Sequence, residues 1–222
     1  MTIEATQYQH FPQGQTRLAG LLCLWAGILG AASGIFLAVV PPAVDSDRYS
    51  YPLTTTGFAL IQGWFFVQHL GLIAGLEGLR RAGAAGHSHR LGIFAANGGM
   101  AMLAIMELLA ITAARSTYPG PRTDLLDAGY GIASTVIGIG LIITGLAVSR
   151  VKVWTGWRRW LLLAMGVYVF VPMFPAMFGG FVAARLAITG WMLLYALLGW
   201  VLARHAHAAA GVERGVTPRL TV

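Results

Sequence analysis

Six runs of apolar residues dominate this chain, at 18–40, 54–79, 91–114, 125–149, 160–178 and 182–203. Each is long enough to cross a hydrocarbon core of roughly 30 Å, which takes about 20 helical residues. A backbone in hydrocarbon must satisfy its own hydrogen bonds, which leaves helices or closed barrels. Unbroken apolar runs, rather than alternating ones, select helices. The expectation is an all-α polytopic membrane protein with six transmembrane helices in one bundle. The transmembrane domain covers 17–204, between a polar N-terminal tail at 1–16 and a C-terminal tail at 205–222. Composition agrees, with 57% hydrophobic and 10% charged residues, where a soluble domain carries about 25% charged. A soluble enzyme is excluded. The net charge of +7 does not indicate a nucleic-acid partner either, because the basic residues stand at the ends of apolar runs instead of massing on one face.

The fifth run is the least regular. Pro172 and Pro175 fall in its second half and Gly179-Gly180 follows, so a kinked span is expected.

Cytoplasmic loops retain Lys and Arg. With the N-terminus inside, Arg17, Arg80, Arg81, Arg90, Arg150, Lys152, Arg158, Arg159, Arg204, Arg214 and Arg219 lie on the inner side. Arg48, Arg115, Arg122 and Arg185 lie on the outer side, a division of eleven to four. Both termini are therefore expected in the cytoplasm and the chain in the cell inner (cytoplasmic) membrane. The first sixteen residues have no cationic region and no small-residue cleavage site follows the first run, so that run reads as an anchored helix. Trp154, Trp157 and Trp160 beside Arg158 and Arg159 suit an interfacial turn among inner headgroups. Tyr49, Tyr51 and Tyr118 suit the outer interface. Gly63-Trp64 and Gly190-Trp191, each followed by a run ending in Arg, are a slight sign of internal duplication.

Small residues let membrane helices approach closely. Gly30-x-x-x-Gly34 in the first run and the stripe Gly131, Thr135, Gly138, Gly145 and Ser149 in the fourth are expected contact faces.

An ionisable side chain in hydrocarbon costs about 2.5 to 3.5 kcal/mol on insertion scales, so it faces inward and marks function or a specific pairing. Four qualify: Glu107, His69, Glu77 and Arg185. Glu77 has Arg80 and Arg81 three and four residues on, which reads as a local ion pair. Glu107 lies deeper, about 10 Å from the outer end of its run, and Gln62 lies about 12 Å from the outer end of the preceding, antiparallel run. Gln62 and Glu107 are expected to meet, and His69 and Asn97 to extend a polar stripe along the same seam. Arg185 enters about 6 Å from the outer surface and reaches Glu107 if the third and sixth helices are neighbours. Two readings follow. Either the pair fastens the bundle, or Glu107 lines a ligand site, binding or donating a proton.

No cofactor is expected. Cys23 is the lone cysteine, and the spans hold one histidine where a bis-His haem needs two. His87, His89, His205 and His207 form two pairs near the inner surface that read as solvated rather than as a metal site. Asp45, Asp47, Asp124 and Asp127 gather in the outer segments, where the last two suit the dipole of a starting helix.

The opening Thr16-Arg17-Leu18-Ala19-Gly20, the six spans and the turn Gly156-Trp157-Arg158-Arg159-Trp160 resemble uncharacterised six-helix membrane proteins of GC-rich bacteria. The resemblance implies a fold and no activity. Motifs of known membrane enzymes and channels do not occur. There are no aspartate-rich prenyltransferase motifs, Met106 rather than Trp precedes Glu107, and Lys152 lies in a loop where a retinal protein needs it in a span. The sequence thus supports a protein that binds or transports a small or lipid-like molecule, with Gln62, His69, Asn97, Glu107 and Arg185 as candidate ligand-binding residues. Its partners are membrane lipid and a small apolar ligand. The alternative is a membrane enzyme acting on an isoprenoid or lipid, with Glu107 as its general acid. A structural membrane subunit is the third reading.

Overall fold

The computed structural model describes residues 13–82, 90–151 and 154–215. Six helices in it are long and apolar enough to cross a membrane. Four are continuous: α1 (Gln13–Val39), α2 (Thr55–Arg81), α3 (Arg90–Ile111) and α4 (Pro121–Val151). The fifth span is composite. A 3₁₀ turn, Gly156–Trp160, leads into α5 (Leu161–Tyr168), a π turn (Val169–Met173) and the short α6 (Phe174–Met177). The sixth span is formed by α7 (Phe181–Gly215). These helices mark the chain as a multi-pass membrane protein.

Local chemistry accounts for the boundaries. The Thr54 hydroxyl accepts a hydrogen bond from the Gly57 amide at 3.2 Å and caps α2. Arg80 and Arg81 stand in the last turn of α2, where cations suit the dipole. The expected kink is present. Pro172 has no N–H to donate and sits inside the π turn, the wider helical form that absorbs such an interruption. Pro175 follows Phe174 in the first turn of α6, where a missing N–H costs little. Gly180, at φ +89°, then reverses the chain into α7, a conformation that a residue with a Cβ seldom adopts.

Each span packs on the next in sequence from α1 to α5, and α7 returns to lie along α1, with lighter contacts to α2 and α5. Glycine permits the closest approach. A Cβ at Gly140 of α4 would stand 2.5 Å from the Gly92 carbonyl oxygen and 2.6 Å from the Ala96 nitrogen of α3. The expected stripe on α4 is a contact face only in part. Gly138 meets Phe170 and Gly145 meets Leu163, but Gly131 faces open space, and it lines a surface groove with Thr135 and Phe174. The reason is rotational: the tightest seam of α4 runs through Ala133, Ile137 and Gly140 toward α3, which turns Gly131 outward.

The bundle's interior is apolar below mid-depth, where Leu72, Leu76, Leu79, Leu198 and Leu202 are fully buried. Its exterior carries Leu18, Trp25, Phe36, Leu60, Phe94 and Leu125, all exposed, as a lipid-facing surface requires. At the end that the charges mark as inner, Trp157 stacks on Trp200 with ring centroids 6.4 Å apart. The Arg204 guanidinium lies 4.3 Å over the same Trp200 ring. At the opposite end the α1–α2 and α3–α4 connections are joined by an isolated bridge, Arg48 to Thr117. The amides of Tyr49 and Tyr118 also donate to the carbonyls of Ser116 and Asp47.

Candidate functional site

Directly beneath those joined loops, α2, α3 and α4 each contribute one polar side chain to a single group. The Tyr130 hydroxyl of α4 donates to Glu107 Oε2 of α3 at 2.9 Å. Gln62 Nε2 of α2 donates to the same Tyr130 oxygen at 3.4 Å. Gln62 and Glu107 are each only 7% exposed, so these bonds replace water for groups that would be costly to bury alone. Gln62 and Glu107 do come together, with Tyr130 between them. The helix α3 ends at Ile111 and is followed by a turn, so Glu107 lies about 6 Å below the helix end, nearer that end of the bundle than its apolar run implies.

Arg185 does not clasp Glu107. Among the described residues no ion pair within 4.0 Å involves either group. The guanidinium rests 4.9 Å over the ring of Phe181, one helical turn earlier, while its charge still acts on Glu107 and Tyr130. The geometry explains why: α7 lies against α1 and not along α3. The site therefore holds a carboxylate and a cation that act on each other with no direct bond between them.

His69 and Asn97 stay apart from this group. His69 Nδ1 is 2.6 Å from the Phe65 carbonyl oxygen of its own helix, and the Oδ1 of Asn97 is buried with no partner. Two further side chains at about the same depth, roughly 20 Å from the outer helix ends, have unpartnered buried oxygens: Gln68 Oε1 and the Tyr195 hydroxyl. Gln68 Nε2 instead donates to the sulfur of Met192 at 2.8 Å. His87 and His89 and the side chains of His205 and His207 lie outside what is described. Among the described residues no group of three metal-binding side chains occurs.

Above the site is a second hydrogen-bonded cluster. The Tyr49 hydroxyl donates to Asp127 Oδ1 at 3.3 Å, and the Tyr49 ring meets Phe58 and Tyr118 at 5.9 Å each. Burial and the adjacent Asp127 carboxylate push the Tyr49 phenol above its usual range. Asp127 thus accepts from a tyrosine as well as standing near the start of α4. Tyr49 and Tyr130 pack on the same small patch of Phe58, Ala110 and Ala114. Sequence reasoning missed Tyr130, although the signal was present. It stands one turn after Asp127 on α4, on the side of the helix that Asp127 presents to Tyr49.

Two apolar grooves lie on the bundle surface, one of about 340 Å³ between α1 and α7 at Leu24, Ile28 and Trp200. The other, of about 440 Å³, runs along α4 at Gly131 and Thr135. Neither is lined by Glu107.

Fold and site together define a six-helix membrane bundle with a polar group buried near one end. Compared with protein-family models, curated proteins and solved structures, the chain matches none.

Proposed function

We propose that the protein binds or transports a small or lipid-like molecule through the polar site formed by Gln62, Glu107, Tyr130 and Arg185. The chain would lie in the cell inner membrane, with both termini in the cytoplasm and the site in its outer half. The observation that carries this reading is the separation of Arg185 from Glu107. A strut would bond the two directly, whereas here a guanidinium stands off a carboxylate that is held by neutral donors. A buried carboxylate and a nearby cation that leave each other unbonded suit a ligand that supplies partners to both.

The test is native mass spectrometry of the protein released from its own expression membrane, on wild type, Glu107→Gln and Arg185→Ala. A bound lipid-sized or smaller mass on wild type that both variants lose while remaining folded supports the reading. Its absence from wild type, or its equal retention by the variants, overturns it.

A membrane enzyme acting on an isoprenoid or lipid is the second reading, with Glu107 as general acid. The absence of an ion pair between Arg185 and Glu107 among the described residues favours it, since the carboxylate is then held by a neutral hydroxyl and not by a bonded cation. Loss of turnover in a Glu107→Gln protein that keeps its fold and its ligand would select it. Loss of stability alone would select a structural subunit.

A further inference from the structure

The oxygens of Glu107, Tyr130, Tyr49 and Asp127 follow one another from the buried site to the outer end of the bundle. Tyr130 is bonded to Glu107 and Tyr49 to Asp127. The two tyrosines pack against the same patch of Phe58, Ala110 and Ala114. Asp127 is exposed at the surface, so the series begins in water and ends on a carboxylate that is 7% exposed. Toward the other end no hydrogen bond among the described residues continues the series from Glu107. His69, Asn97, Gln68 and Tyr195 lie separately at mid-depth, and beyond them the interior is filled by Leu72, Leu76, Leu79, Leu198 and Leu202.

We propose that Glu107 is a proton-uptake site in exchange with the outer medium alone, and that Asp127, Tyr49 and Tyr130 carry the proton to it. The proposal deepens the binding reading and rests on the same site.

The transfer balances as follows. Asp127 takes a proton from hydronium, which leaves as water. The Tyr49 O–H, which donates to Asp127 at rest, turns toward Tyr130, and Asp127 then passes its proton to the Tyr49 oxygen. Tyr49 releases its own hydroxyl hydrogen toward Tyr130, and Tyr130 releases its own to Glu107 Oε2. Each tyrosine ends with one hydroxyl hydrogen, Asp127 is again a carboxylate, and Glu107 is neutral. The step between the tyrosines has no direct hydrogen bond, so a bridging water completes it by accepting from the Tyr49 hydroxyl and donating to the Tyr130 oxygen. Gln62 donates to the Tyr130 oxygen, which directs the tyrosine's own hydrogen toward Glu107. The titratable and charged groups facing Glu107 are Tyr130 of α4, Arg185 of α7 and Tyr49 of the α1–α2 loop. Those facing Asp127 are Tyr49, Tyr118 and Asp124.

The experiment uses the full chain in liposomes. Time-resolved infrared spectroscopy follows the carbonyl stretch of the protonated Glu107 carboxyl, assigned by its loss in Glu107→Gln, after a jump of external pH. In wild type the band should follow external pH. In Tyr49→Phe it should reach the same final amplitude about 100-fold more slowly, the low end for loss of one positioned proton-transfer group. Tyr130→Phe should slow it as much. If that variant fails to fold, Tyr49→Phe decides alone, because its hydroxyl lies in the loop. An unchanged rate in Tyr49→Phe, a band that follows internal pH, or no titrating band in wild type overturns the proposal. The bound mass on wild-type protein is read separately. Its absence beside a Tyr49-dependent rate removes the binding reading and keeps the relay, and the converse removes the relay alone.

Discussion

Tyr130 and Glu107 come from adjacent helices and share the shortest side-chain hydrogen bond of the buried polar group, 2.9 Å from hydroxyl to carboxylate oxygen. Glu107 is buried and Tyr130 half-buried, so the bond stands in for much of the hydration each would have when unfolded. Tyr130→Phe should therefore lower stability by about 1 to 3 kcal/mol, the cost of leaving a buried acceptor short of a donor. Denaturant unfolding in mixed micelles measures it. A double-mutant cycle with Glu107→Gln should show a clear coupling energy, because the two residues are in direct contact.

The α3–α4 seam should be intolerant of volume where backbones nearly touch. Gly140→Val places a side chain where the Gly92 carbonyl oxygen would be 2.5 Å from its Cβ, and a loss of about 1 to 3 kcal/mol is expected from overpacking. Gly131→Val, on the same helix but facing open space, should change the unfolding midpoint little. Equal effects at both positions would contradict this packing.

The joint between the fifth span and α7 depends on two polar clasps. The Tyr168 hydroxyl donates to the Ala187 carbonyl at 3.1 Å, and Trp191 Nε1 donates to the Met165 carbonyl at 3.3 Å. Tyr168→Phe removes one without changing the ring, at an expected cost of about 0.5 to 1.5 kcal/mol. Thermal unfolding of the purified protein reads this directly.

Alkaline pH should weaken the outer loops. The Tyr49 phenol is held above its usual range when folded, so the folded protein keeps this proton at pH values where the unfolded chain has lost it. The associated stability is fully present below the unfolded value, about pH 10, and is lost as pH rises beyond it. Tyr49→Phe should flatten that part of the curve of unfolding midpoint against pH.

The spans, the kink at Pro172 and the interfacial turn at Trp157 were legible because each rests on local chemistry: run length, a missing amide, amphipathic rings. Glu107 and Gln62 were legible as a pair because antiparallel neighbours put equal depths side by side. Two relationships were not. The placement of α7 along α1 decides that Arg185 faces Glu107 from a distance, and no local pattern fixes which helix a terminal span returns to. Tyr130 was hidden for a different reason: a tyrosine near a membrane interface serves as an anchor far more often than as a donor to a buried carboxylate. His69 shows the opposite error. Its seven-residue spacing from Gln62 is real, but its Nδ1 is taken up by the Phe65 carbonyl of its own helix.

The light contact between the fifth span and α7 has a mechanical meaning. A circuit of six rods with five broad contacts and one narrow one deforms first at the narrow one, as a bracelet does at its clasp. That joint holds two hydrogen bonds and a narrower packed face than the long one between α7 and α1. The fifth span is thus the one that parts most readily from α7, toward the surrounding lipid tails, while the loops at the bridged end stay tied together.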